Sequence, residues 1–226
     1  MATPKATRGD VKKAMSFDPS KLVTVIVGKG LHQERFSIHE EIVCARSEFF
    51  KRALNGKWTE SKERIVRLPE DDPKTFGIYT NLVYTGLVLT DTLEEPKTST
   101  LICDEYDKLI KLYVLGEKLQ DKAAKNSAIQ SLLEVTFETD AEGMGYIPRG
   151  DTVCYLYQGT YTGSLGRQLI TDSWMQVSTD YLSRVKDGLP KDFLVDLAIA
   201  LLGELPKKKP RLVTMANKSK YLENMD

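Results

Sequence analysis

Phe36-Ser37-Ile38-His39-Glu40-Glu41-Ile42-Val43-Cys44-Ala45-Arg46-Ser47-Glu48-Phe49-Phe50 is the stretch whose reading decides the fold. Ser37 and Glu40 stand at the spacing of a capping box, in which a hydroxyl and a carboxylate satisfy each other's amide donors at a helix start. A helix is therefore predicted from about His39 to Leu54. Ile42, Ala45, Phe49 and Ala53, with Val43, Phe50 and Leu54 beside them, recur at three- and four-residue steps and form one wide apolar stripe, which must face a core. Upstream, Leu22-Val23-Thr24-Val25-Ile26-Val27 is β-branched and is stopped by Gly28 and Gly30, and Glu34 to Ile38 resumes extended, so the two runs read as a hairpin.

Downstream, Arg64 to Leu68 reads as a short strand ended by Pro69. Asp72 as cap and Pro73 at the first helical position open another helix, with Phe76, Tyr79, Leu82 and Val83 on its apolar face and Gly86 at its end. Leu87-Val88-Leu89 is expected as a strand, and Thr90 to Thr100 as a loop. Leu109, Leu112, Tyr113, Gly116 and Leu119 then mark one helix. Ala128, Ile129, Leu132 and Leu133 mark the next, with Asp121 as its cap. Thr139 to Gly145 reads as a flexible junction, and Ile147 to Leu205 as three or four short helices.

The signature residues Phe36, His39, Ala45, Ser47 and Phe50 occur in the order of the BTB/POZ domain family, and the series continues through Trp58-Thr59-Glu60-Ser61, Ile65 to Pro69, Asp72-Pro73 and Leu82-Val83-Tyr84-Thr85-Gly86. This resembles a BTB/POZ domain over roughly residues 21 to 135. The tail resembles the helical C-terminal region of fungal-type BTB proteins in Ile147-Pro148, Asp151 to Val153, Tyr155 to Tyr157, Trp174 and Pro190 to Ala198. The resemblance implies an α+β BTB/POZ fold, a small β-sheet packed with helices, followed by an all-α extension. The expected organisation is a leader over 1–20, a BTB/POZ domain over 21–138, a helical extension over 146–205 and a polar, basic tail over 206–226.

Locally, His39 can bridge neighbouring backbone groups at the strand–helix joint, having one ring nitrogen to donate and one to accept. Ser47 is expected to bond back to a carbonyl within its helix, and Phe49 and Phe50 to anchor opposite edges of the stripe. Structure outweighs chemistry at each.

Composition argues against several functions. The 226 residues carry 32 Lys and Arg against 32 Asp and Glu, so no net field draws nucleic acid or anionic lipid. Cys44, Cys103 and Cys154 fit neither a disulfide framework nor zinc spacing. No apolar stretch reaches spanning length, and an intracellular protein of the cytoplasm or nucleus is expected. Gly28-Lys29-Gly30 lacks the third glycine and the helix of a dinucleotide loop, Gly163-Ser164-Leu165-Gly166 lacks nucleophile-elbow spacing, and His32 and His39 belong to no metal motif. No catalytic residue, cofactor site, metal site or small-molecule substrate is predicted. Cys44 reads as a buried, inert thiol.

The expected partners are proteins. One hypothesis is a scaffold that self-associates, as a homodimer, or binds another protein. A second is a substrate adaptor for a cullin-type ubiquitin ligase, and the third is an enzyme with an unrecognised site in the C-terminal helices. Leu54, Asn55 and Trp58 are the candidate partner-binding residues. The resemblance implies a hydrophobic-any-Glu tripeptide after the signature helix in cullin binders, and Ala53-Leu54-Asn55 stands there without the carboxylate. Lys21-Leu22-Val23 likewise lacks the Asp that precedes the first strand in many BTB transcription regulators. Trp58 reads either as an interface anchor or as a cap on the core edge. Lys207-Lys208-Lys209-Pro210-Arg211 reads either as a nuclear import signal or as a solvated tail.

Overall fold

A computed structural model of the protein describes residues 21–56, 59–90 and 97–204. Trp58, the leader over 1–20 and the tail over 206–226 lie outside these. The hairpin is present: β1 (Leu22–Val27) pairs antiparallel with β2 (Glu34–His39), Leu22 opposite His39 and Val27 opposite Glu34. β3 (Ile65–Leu68) joins the other edge of β1 in parallel, giving the order β2-β1-β3. β1 is central, and its Val23, Val25, Ile26 and Val27 are buried, as a strand covered on both faces requires.

The long helix predicted from His39 is two helices, α1 (Glu40–Arg46) and α2 (Glu48–Ala53). Ser47 separates them in an extended conformation, ending α1 and capping α2, where its hydroxyl accepts from the Phe50 amide at 3.2 Å. The break rotates the stripe. Ile42, Val43, Phe50 and Leu54 reach the core, while Ala45 faces solvent. The capping box is also absent: Ser37 lies within β2 opposite Thr24, and α1 starts at Glu40.

After α3 (Thr59–Glu63) and β3 comes α4 (Pro73–Thr85), bounded as its sequence demands. Asp72 accepts from the amides of Lys74 and Thr75 and from the Thr75 hydroxyl. Burial opposes ionisation of Asp72, but these donors outweigh it and hold the carboxyl below its usual range. Gly86 closes the helix at φ 74°, a left-handed conformation suited to glycine. The strand expected at Leu87–Leu89 does not form. Leu87 and Leu89 are exposed, and no described strand pairs with them.

α5 (Ser99–Lys118) is the organising helix, packing against α4, α6 (Lys122–Val135) and α7 (Gly150–Gly159). Beyond α7 follow α8 (Leu165–Trp174), α9 (Thr179–Val185) and α10 (Lys191–Glu204), in agreement with the short helices expected after Ile147. Their own core is aromatic: Trp174 meets Phe193 edge-on at 5.2 Å, and Tyr157 meets Phe193 at 5.6 Å. The junction expected to be flexible is a hydrogen-bonded turn. Thr139 bridges Gly145, and Asp140 accepts from the amides of Glu142 and Met144 and from the Tyr146 hydroxyl. A short polar segment satisfies its own donors there through an Asx-type turn.

Candidate interaction surface

The signature residues sit at joints of the fold. At the entry to α1, the amide of His39 donates to the Tyr84 hydroxyl at 2.9 Å, and His39 Nδ1 lies 2.8 Å from the same oxygen. The main chain and the ring of His39 thus both meet one hydroxyl. His39 therefore joins α1 to α4 through a side chain, where the sequence suggested a bridge between backbone groups.

Ser47 is fully buried, and its hydroxyl donates to the Leu119 carbonyl at the end of α5 at 2.6 Å. That carbonyl is distant in sequence, not one within Ser47's own helix. Phe50 is buried, and Phe49, half-buried, meets it edge-on at 5.4 Å. Phe36 packs edge-on against Phe76 at 4.9 Å. Cys44 is half-buried. The sequence suggested full burial; burial, then the Glu40 carboxylate, pushes its thiol up to about 11, which disfavours the thiolate at neutral pH.

A polar centre that the sequence reading missed lies beneath. Asp121 caps α6 through the Ala124 amide at 2.9 Å, and its fully buried carboxylate also accepts from Arg46 Nε and the Tyr79 hydroxyl, both at 3.1 Å. Burial, then this carboxylate, holds the Tyr79 phenol far above its ordinary range, so it remains a donor. Only the cap was legible, because capping is local in sequence and the other two donors arrive from α1 and α4.

Of the predicted partner-binding residues, Leu54 is buried in the core, and its carbonyl accepts from the Ser61 hydroxyl at 3.2 Å. Its side chain therefore offers no exposed anchor. Asn55 beside it is exposed, and Trp58 is outside the described residues. A larger apolar feature lies elsewhere. An open cleft of about 890 Å³ runs between α5, the 139–145 turn, α8 and α9, floored by Tyr106, Ile147 and Leu169 and rimmed by Phe137 and Met144. Phe137 is 85% exposed. Nothing in the sequence marks it, since Phe137 follows α6 without periodic neighbours.

Among the described residues, no group of His, Cys, Asp and Glu is placed to hold a metal ion, and no helix is long and apolar enough to cross a membrane.

Comparison with known proteins covers the N-terminal module. A model of the BTB/POZ domain matches residues 16–134. A stretch of 68 residues is 34% identical to BTB/POZ domain-containing protein 9 of Drosophila melanogaster; it is 30% of this chain and 9% of that protein's length. The match spans the sheet, the paired helices joined at Ser47 and the Asp121 centre, and on that ground the chain belongs to the BTB/POZ domain family, a family of protein–protein interaction modules.

Proposed function

We propose that the chain is a non-enzymatic scaffold whose BTB/POZ module self-associates or holds another protein, in the cytoplasm or nucleus, with α7 to α10 as a fungal-type helical extension. The observation that carries the reading is the family match over residues 16–134, which supports interaction with other proteins. Affinity purification of the full chain with mass spectrometry tests it. A stoichiometric protein partner or a self-associated species is the expected result. A strict monomer that retains no partner contradicts it.

A second reading, a substrate adaptor for a cullin-type ubiquitin ligase, draws on the cleft beside Phe137 and Met144, which is large enough to take a peptide cargo. Asn55, where the resemblance implies a carboxylate, counts against it. Because Leu54 is buried, its substitution would report stability and not capture; Asn55→Arg and Trp58→Ala are the informative variants. Cullin capture by the full chain that both variants abolish supports the adaptor. Absence of cullin from the purified complex removes it.

A further inference from the structure

α8 and α10 pack side by side, and Tyr157 of α7 ties them together. Its hydroxyl donates to Asp196 Oδ2 at 2.7 Å and lies 3.3 Å from the Thr171 hydroxyl. α10 buries only Phe193 and Leu197, and it carries Asp196, Ile199 and Ala200 across a groove of about 360 Å³ from Arg167 and Met175 of α8. Arg167 is only 6% exposed, and its guanidinium lies 4.3 Å from the centre of the Tyr157 ring. Nε donates to the Thr160 hydroxyl, and Nη2 donates to the carbonyls of Tyr157 and Thr160. All of these acceptors are neutral. Among the described residues, no carboxylate pairs with this cation and Nη1 has no hydrogen-bond partner. The polar atoms that are both sealed from solvent and without a partner there are Glu138 Oε2 and Trp174 Nε1. Nη1 therefore keeps accessible surface, and so does Asp196 Oδ1, whose residue lines the same groove. A guanidinium so far out of water ordinarily has a counter-ion, because desolvation of a charge is costly.

We propose that the groove between α8 and α10 binds a small zwitterion, an α-amino acid with an apolar side chain, its carboxylate on Arg167 Nη1 and its ammonium on Asp196 Oδ1. Three observations select that ligand. The guanidinium lies over the face of Tyr157 and the Asp196 carboxylate lies at its hydroxyl, so opposite charges stand one tyrosine's length apart without pairing. A molecule carrying both charges gives each a charge-assisted hydrogen bond. The second observation is charge. Asp172 and Glu204 line the groove beside Asp196, so a bare anion meets repelling carboxylates and a bare cation meets the buried guanidinium. The first turn of α8, which holds Arg167, has no acidic residue, and its cap Ser164 makes no side-chain cap bond, so the helix dipole favours a carboxylate at that end. Finally, the volume of about 360 Å³ falls at the lower end of small-molecule sites, roughly 300–1,000 Å³. Met175, Ile199 and Ala200 supply an aliphatic wall for the side chain, and Ile199 is 63% exposed, which leaves the groove open to entry.

This inference goes beyond the module reading, because every residue of the groove lies outside the family match. NMR titration of the full chain with L-leucine tests it, beside N-acetylleucine, which lacks the ammonium, and leucinamide, which lacks the carboxylate. Leucine should bind with a Kd of about 1 mM or below, and each blocked form at least about tenfold more weakly. Asp196→Asn keeps an acceptor for the Tyr157 hydroxyl and removes the charge. It should weaken leucine by about tenfold or more and erase the preference for leucine over N-acetylleucine, with an unchanged circular-dichroism spectrum. Ala200→Trp should abolish binding by filling the groove while leaving both charged groups in place. Absence of leucine binding up to about 10 mM overturns the site, and so does leucinamide binding as well as leucine. Binding that survives both Asp196→Asn and Ala200→Trp lies elsewhere and overturns it too. Protein partners found by purification would still support the module in any of these cases.

Discussion

In the N-terminal module, segments far apart in sequence are joined through buried polar groups, whereas the extension comes close to α5 at two glycines, with the Tyr113 hydroxyl bonded beside the second. Asp121 gathers Arg46, Tyr79 and the start of α6 around one carboxylate, and Ser47 clasps the end of α5. On the other side of α5, Gly159 lies so close to Val114 that a Cβ would come within 2.3 Å of it. Gly166 lies so close to Tyr113 that a Cβ would come within 2.5 Å of the ring. The Tyr113 hydroxyl then reaches the Gly166 amide at 3.0 Å and the Ser164 hydroxyl at 2.9 Å. A polar joint fails when a partner is deleted, and a close-approach joint fails when an atom is added.

That contrast sets the order of expected effects. Asp121→Ala should cost most, about 3–4 kcal/mol in urea denaturation, because it leaves a buried phenol without its acceptor, removes the partner of the half-buried Arg46 and deletes a cap. Gly166→Ala adds a single methyl group and should cost about 2–3 kcal/mol by overpacking. Hydrogen exchange should show its loss of protection concentrated in α7 and α8. If the loss spreads evenly into the sheet, the two joints are one cooperative unit and the contrast falls. Ser47→Ala should cost about 1–2 kcal/mol, leaving the Leu119 carbonyl and Phe50 amide without their hydroxyl.

Asp72→Ala should cost about 1 kcal/mol at neutral pH, and this smaller loss has a pH signature. The folded carboxyl is depressed, so its contribution is present above the unfolded value of about 3.9 and disappears as pH falls through the lower folded value. The variant and the parent should converge in acid, and a constant gap would exclude the carboxylate as the capping form. Ala45→Gln, on the exposed side of α1, should change the melting curve by under about 0.5 kcal/mol, although Ala45 belongs to the family signature.

Most of the fold was legible because it is encoded locally. Asp72-Pro73 and Gly86 bound α4, Asp121 starts α6, and the β-branched run over 22–27 forms β1. Errors arose where tertiary contacts overrule local pattern. The apolar spacing from Ile42 to Leu54 suits one helix, and the sequence around Ser47 does not disclose that a carbonyl 72 residues away needs its hydroxyl. Leu87 to Leu89 has strand-like residues but no strand beside it. The interaction surface was less legible still. Phe137 has no periodic context, and α10 reads as an ordinary buried helix until the packing shows which side is left open.

The close approach of Gly159 and Gly166 to α5 also bears on how the protein can be cut. A fragment ending where the family match ends, near residue 134, would keep every signature residue yet strip the cover from Tyr113 and Val114 toward the C-terminal end of α5. Such a fragment should express poorly, bind hydrophobic dyes and be retained by chaperones, while a fragment reaching residue 204 should behave as the intact chain does. The end of the family match and the end of the packed helices thus fall some seventy residues apart.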